Sequence, residues 1–434
     1  MIQEFSVSNF RSIKETQTIG FLPNKRISNS SDEFLLIRVN EKVSLLKLGV
    51  LYGYNASGKS NIIKAFSTLS SLVLNGKETK QPIYEYDPFL LDEDYCAKPS
   101  VFHLIFFIEG IQYSYHLEFT AKAISKEILC GSPNGHKVTY FSRSFDDYNG
   151  TSKVSFSKEC GLNGNDRLLL VGNTLNNLTV LYAYQKTNVS FLVFDKIIDF
   201  FSTYMMQNVM PRDNLFLWGT QKLFSDYASI SFYEKLMNKA DFQISNVEIR
   251  ENPISAIDKA IDQVIAKSMP QEYQKMLRAE KDQKVKNLLF GHKTVSGNTL
   301  MFEYEKESSG TTRYFGLAAI LKELIDHNHF ICIDELETSL HPELVMFFLT
   351  MFLMNTSSSQ MFISTHIQEI MDADYMRSDM VWFCEKNEQG ASEYYQLQDF
   401  GLHKNIKAIN YYKAGRLGAF PDLSSPIIEK GAGS

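Results

Sequence analysis

Apolar and polar residues alternate over residues 2–10, the period-two pattern of a half-buried strand. Two further β-like runs, 102–108 and 113–119, meet at Glu109-Gly110 and predict a hairpin. β-like stretches continue to about Val171, punctuated by the turn signals Asn149-Gly150 and Asn163-Gly164. From about Asn173 to about Leu289 the apolar spacing becomes helical, as in Ile257, Ile261, Val264 and Ile265. Strand character returns at 299–304, a helix follows over 314–325, and apolar strands are predicted at 330–333, 361–364 and 380–383. Early in the chain, the apolar run 46–51 precedes a segment, 61–74, whose Ile62, Phe66, Leu69 and Val73 recur at helical spacing and would face a sheet. No internal repeat, heptad array or low-complexity tract is present in the sequence.

Between that strand and helix lies Gly53-Tyr54-Asn55-Ala56-Ser57-Gly58-Lys59-Ser60, which fits the G-x-x-x-x-G-K-[ST] phosphate loop. Glycines let the backbone wrap phosphate oxygens with inward-pointing N–H groups, and the helix N-terminus adds partial positive charge beneath them. Lys59 would neutralise β- and γ-phosphates, and Ser60 would offer a hydroxyl to Mg²⁺. The expected ligands are therefore a nucleoside triphosphate and Mg²⁺. The implied class is α/β, with one nucleotide-binding domain split by a β lobe and a helical insertion.

Composition changes this picture little. The 434 residues can bury a large core, and 44% hydrophobic with 22% charged residues is ordinary for a soluble protein. A net charge of −6 argues against a protein that coats nucleic acid, although a local basic patch stays possible. Arg278, Lys281, Lys284, Lys286 and Lys293, diluted by Glu280 and Asp282, read as a solvated helix face. The five cysteines (Cys96, Cys130, Cys160, Cys332 and Cys384) form no C-x-x-C pair and fit reduced thiols, with Cys332 in the core. The first residues lack signal-peptide character, and Asp195, Lys196 and Asp199 interrupt the apolar run at 191–201, so a cytoplasmic protein without a membrane span is expected.

A second carboxylate-bearing segment completes the chemistry. Asp334 ends the apolar run Ile331-Cys332-Ile333, where a carboxylate can meet Mg²⁺, and adjacent Glu335 can polarise an attacking water. The pair is followed by Ser339-Leu340-His341-Pro342 and later by Ser364-Thr365-His366, where His366 is suited to sense a γ-phosphate. Glu307-Ser308-Ser309-Gly310-Thr311 precedes a helix, and its hydroxyls and glycine suit a phosphate grip at a helix N-terminus.

Together these motifs resemble the ABC-type ATPases related to SMC, RecF and OLD proteins, over nearly the whole chain. Phe5-Ser6-Val7-Ser8-Asn9-Phe10-Arg11-Ser12-Ile13 is similar to their opening strand, and Asn55 and Asn61 match the same branch. The resemblance implies that Arg11 lies near the nucleotide, and that Ser308, Ser309, Gly310 and Thr311 form a signature loop. That loop would contact ATP held by the opposite subunit of a homodimer or larger oligomer. It also makes Ser339, Leu340 and His341 a D-loop. The loop reads Ser-Ser-Gly-Thr rather than the transporters' Leu-Ser-Gly-Gly-Gln, and the Q-loop glutamine is open between Gln81 and Gln112.

More narrowly, residues 307–312, 334–342, 377–383 and 415–421 resemble AbiLi/RloA-like ATPases of bacterial abortive-infection systems. That implies anti-phage defence through a separately encoded effector, expected to be a nuclease, because no paired-carboxylate metal motif stands out after His366. The alternative is a RecF/SMC-like DNA-binding ATPase of DNA maintenance or repair. The expected division is 1–172 for the first half of the ATPase head with the β lobe, 173–295 for a mainly helical insertion, 296–430 for the second half, and 431–434 for a linker or tag remnant.

Overall fold

The structure, a computed structural model, describes residues 1–27, 32–77, 79–240, 242–253, 284–402 and 406–421. The chain forms two compact units. The first comprises residues 1–212, 324–337 and 348–434, and the second residues 213–323 and 338–347.

The first unit carries a mainly parallel sheet in the order Phe330–Ile333, Gln360–Ser364, Leu48–Tyr52, Val381–Lys386, Ser392–Gln396. Its first four strands run parallel and the last is antiparallel. Leu48–Tyr52 is wholly buried, as the continuous apolar pattern requires. A seven-stranded antiparallel sheet in the same unit places Ile2–Ser8 between Ser100–Ile108 and Gln17–Gly20.

Helix Lys59–Leu74 joins the two sheets through its apolar face. The Phe66 ring lies 4.4 Å from Phe5 of the antiparallel sheet and 5.0 Å from Phe330 of the parallel one. The hairpin predicted around Glu109-Gly110 is present, joining Ser100–Ile108 to Ile111–Phe119. Both turn residues have positive φ (50° and 78°), the backbone that matches strand twist in a two-residue hairpin.

A buried polar cluster ties the antiparallel sheet to the connection beyond it. Arg143 donates to the carbonyls of Leu175, Asn176 and Leu178, and its guanidinium lies 3.7 Å from Glu127. Glu127 accepts the Tyr115 hydroxyl at 2.8 Å and the N–H of Val180 at the start of helix Val180–Gln185. Burial pushes the Glu127 carboxyl up and the Arg143 guanidinium down, each opposed by the other's charge.

The second unit departs from the expected helical insertion. Helices Leu215–Ser225 and Ile230–Lys239 are followed by a three-stranded antiparallel sheet of Ile244–Pro253, Lys284–Lys293 and Thr299–Glu303. Cross-strand pairing overrides the apparent helical spacing here, because Val247 and Phe290 bury opposite one another. Lys286, read as part of a helix face, stands on a strand with its ammonium 4.7 Å from the Tyr227 ring centroid. The periodic residues Ile257, Ile261, Val264 and Ile265, the basic residues Arg278 and Lys281 with Glu280 and Asp282, and the terminal 431–434 lie outside the described residues. A helix, Gly164–Asn173, also replaces the β character expected up to Val171.

Within this unit, Gly316 permits close helix approach, since a Cβ there would sit 2.4 Å from the Leu215 Cβ. Among the described residues, no helix is long and apolar enough to cross a membrane. The five cysteines are free thiols, and Cys332 is buried in its strand as expected.

Removing Glu127 would strand a buried guanidinium charge. Glu127→Ala is expected to destabilise the fold by about 3–5 kcal/mol in a denaturant melt. A change within about 0.5 kcal/mol, the range of surface substitutions, would show that the cluster contributes little.

Candidate functional site

The phosphate loop connects the buried strand Leu48–Tyr52 to the helix Lys59–Leu74. Its path needs left-handed backbone at Ala56 (φ 65°) and Gly58 (φ 122°). At Gly53 a Cβ would lie 2.5 Å from the Cys384 carbonyl oxygen, so only glycine fits. Asn55 and Ala56 are exposed at the crest, whereas the Ser57 side chain is buried.

Lys59 is 7% exposed, and its Nζ donates to the loop's own carbonyls, Gly53 at 2.8 Å and Tyr54 at 3.3 Å. Burial lowers its pKa, opposed by Cys384 in its ionised form and by the carboxylates of Asp334, Glu335 and Glu337. A partly desolvated cation held by two carbonyls has the chemistry to take phosphate oxygens instead.

Next to it, the Ser60 hydroxyl donates to Asp334 Oδ2 at 2.6 Å. The other Asp334 oxygen accepts the Ser364 hydroxyl at 2.5 Å. Asp334 is 1% exposed, and both oxygens of this buried carboxylate are satisfied by hydroxyls, one from the start of the loop's helix and one from the end of the neighbouring strand. This hard-oxygen pair fits Mg²⁺, which takes one or two protein ligands and fills its shell with water and phosphate oxygens. The described residues contain no cluster of three or more acidic, histidine or cysteine ligands.

Glu335 follows with φ 48°, and its N–H donates to Ser364 Oγ at 2.9 Å. His366, at the end of the adjacent strand, is exposed and donates its backbone N–H to Glu337 Oε1 at 2.6 Å. Partial burial and the Lys59 charge lower the His366 pKa, against Glu337, Glu335 and Asp334. The imidazole is thus held toward its neutral form, with one N–H to donate.

A second set of contacts, not apparent from the sequence, holds the loop from behind. Ser392 Oγ donates to the Ser57 carbonyl at 2.5 Å and shares a 2.7 Å hydrogen bond with Ser12 Oγ. Tyr394 donates to the Gly58 carbonyl at 2.8 Å, and Asn61 Nδ2 donates to Ser12 at 2.6 Å. Tyr54 Oη accepts the Lys386 N–H at 2.9 Å. The only hint in the sequence was the run of hydroxyl-bearing residues on the last strand.

Arg11 is half-buried and ion-paired with Asp87 at 2.9 Å, while its neighbour Ser12 contacts Asn61. Of the two glutamine candidates, Gln112 donates to Gln3 within the antiparallel sheet and Gln81 is exposed.

The remaining motif residues belong to the second unit. Ser308 caps helix Ser309–Asp326, its hydroxyl accepting the Thr311 N–H at 3.0 Å and bonding Thr311 Oγ1 at 2.8 Å. Ser308 and Ser309 are exposed at this N-terminus. A Cβ on Gly310 would lie 2.9 Å from the Ser339 carbonyl, so the two predicted loops touch. Ser339 is left-handed (φ 63°), Leu340 is half-buried, and His341 Nδ1 accepts the Glu343 N–H at the start of helix Pro342–Asn355.

Comparison with known proteins shows the family of the chain. The family described as "AAA domain, putative AbiEii toxin, Type IV TA system" matches residues 48–159 and 211–372, and the chain belongs to it. No curated protein sequence matches. Among solved structures, the SMC head domain from Thermotoga maritima aligns at 13% identity and TM-score 0.41, covering 91% of this chain and 98% of that one. An SMC head bound to the C-terminal winged-helix domain of ScpA aligns at 12% identity and TM-score 0.41, covering 92% and 99%.

Gly58 offers a direct test of the loop. A Cβ there would meet Ser392 Oγ at 2.1 Å and would hold φ at an unfavourable value. Gly58→Ala is expected to weaken ATP binding at least about tenfold, a loss of ~1.4 kcal/mol, in a calorimetric titration. Unchanged affinity would show that ATP does not use this loop.

Proposed function

Starting from that family membership, we propose that the chain is an ATP-binding and ATP-hydrolysing switch in bacterial anti-phage defence. The observation that carries the reading is the 2.6 Å contact between Ser60 and Asp334. It brings the phosphate-loop hydroxyl and the strand-end carboxylate, 274 positions apart, to one point beside Lys59.

In this reading Lys59 and the loop N–H groups from Gly53 to Asn61 hold the β- and γ-phosphates, with Arg11 near the nucleotide. Ser60 and Asp334 hold Mg²⁺, which when bound neutralises charge on the phosphate oxygens. Glu335 takes a proton from water as the water oxygen bonds to the γ-phosphorus. The bond from that phosphorus to the β–γ bridging oxygen breaks, leaving ADP and phosphate. His366 donates a hydrogen bond to a γ-phosphate oxygen.

Ser308, Ser309, Gly310 and Thr311 form a helix N-terminus, the chemistry of a phosphate grip, with the Thr311 N–H capped by the Ser308 hydroxyl. We place that grip, with Ser339, Leu340 and His341 beside it, on ATP held by a second copy, so that two chains close over two nucleotides. The family's description names a putative toxin of a toxin–antitoxin system, which fits a defence role; we add that the chain controls a separately encoded effector, with a nuclease as the expected class. Nucleic acid stays possible as a further partner in this reading, and no helix among the described residues is long and apolar enough to cross a membrane.

Glu335→Gln is expected to bind ATP with Mg²⁺ normally while turnover drops about 100-fold or more. The same variant should gain a dimer mass only with ATP and Mg²⁺. Wild-type turnover in Glu335→Gln would show that another group activates the water. A mass indifferent to ATP would remove the two-copy arrangement, and salt-sensitive DNA affinity would then favour a DNA-binding role.

A further inference from the structure

Glu337 lies just beyond the two acidic residues assigned above, and none of the hydrolysis roles uses it. Its Oε1 accepts the His366 backbone N–H at 2.6 Å. Its Oε2 is buried without a hydrogen-bond partner among the described residues. Its charge bears on Lys59 and is the foremost acidic influence on His366.

The bond from Glu337 completes a zipper between two strand ends. Asp334 and the Glu335 N–H both meet Ser364 Oγ, the Leu336 N–H donates to the Ser364 carbonyl at 3.1 Å, and Glu337 then takes the His366 N–H. Segment 364–366 is therefore fixed at both ends to segment 334–337. The neighbours of His366 have their own anchors, with the Thr365 N–H on the Leu51 carbonyl and the Tyr52 hydroxyl on the Ile367 carbonyl, each at 3.1 Å, whereas the His366 N–H itself is taken by Glu337.

We propose that Glu337 is a positioning residue for hydrolysis: it acts through the His366 backbone to fix the imidazole against the γ-phosphate. This rests on the ATPase reading above. Misplacing a catalytic group by about 1 Å can cost about 100-fold in rate, and this is the scale of effect expected here.

The test measures kcat and ATP affinity for wild type, Glu337→Ala, the shape-matched Glu337→Met, Glu337→Gln, His366→Ala and the Glu337→Ala/His366→Ala pair, alongside melting curves. Loss of the N–H acceptor in the Ala and Met variants should lower kcat roughly 10- to 100-fold, with ATP affinity kept within about threefold. Gln retains an acceptor oxygen and should recover most of the rate. In the His366→Ala background, Glu337→Ala should add no further loss, since both changes act through one group.

Wild-type kcat in folded Glu337→Met, a Gln variant as impaired as Met, or fully additive losses would each overturn the inference. Should the Ala variant fail to fold, the Met and Gln comparison decides. A wild-type protein that binds ATP yet shows no turnover overturns the ATPase reading itself, and the role of Glu337 with it.

Discussion

A buried carboxylate needs partners, and the partners of Asp334 organise this molecule's site. Asp334 ends a fully buried strand, where an unsatisfied charge would cost several kcal/mol. The structure meets that demand with Ser60 at the start of the phosphate-loop helix and Ser364 at the end of the neighbouring strand. One satisfied acid thus brings three segments, distant in sequence, to one edge of the parallel sheet. The same edge offers the oxygen donors that Mg²⁺ and phosphate would take over, so local stability and ligand chemistry place the same demand on these residues.

The phosphate loop itself is strained backbone with positive φ at Ala56 and Gly58, and such geometry persists only when its surroundings dictate it. Here the last strand dictates it. Ser392 and Tyr394 hold two consecutive loop carbonyls, and Ser12 links that strand to Asn61 on the loop's helix. Beneath, Phe66 fills the space between the two sheets, so the helix that carries Lys59 and Ser60 is fixed from both faces. In the proposed reading the residues that would touch phosphate are few, and the surrounding contacts hold them still.

Much of this was legible in the sequence because it is local. The glycine-lysine-serine loop, the apolar strand before Asp334 and the Glu109-Gly110 hairpin each follow from short-range backbone physics. Ser364 and His366 could be singled out from their place at a strand end. The clamp was not legible, because Ser12 and Ser392 lie 380 positions apart and a serine carries no local signal of its distant partner. Glu337 was equally silent, since its function depends on the register between two strands. The strands Ile244–Pro253 and Lys284–Lys293 were misread for a related reason. Their apolar residues satisfy helical spacing locally, and only cross-strand burial decides the outcome.

The account stands on ATP occupying the loop from Gly53 to Ser60 with Lys59 as its fixed cation. The most direct measurement is a calorimetric titration of ATP with Mg²⁺ into the wild-type chain and into Lys59→Ala. Saturable binding by the wild type at one nucleotide per chain, lost in Lys59→Ala at unchanged melting temperature, is the predicted result. Equal affinity in the two proteins would contradict the account at its centre.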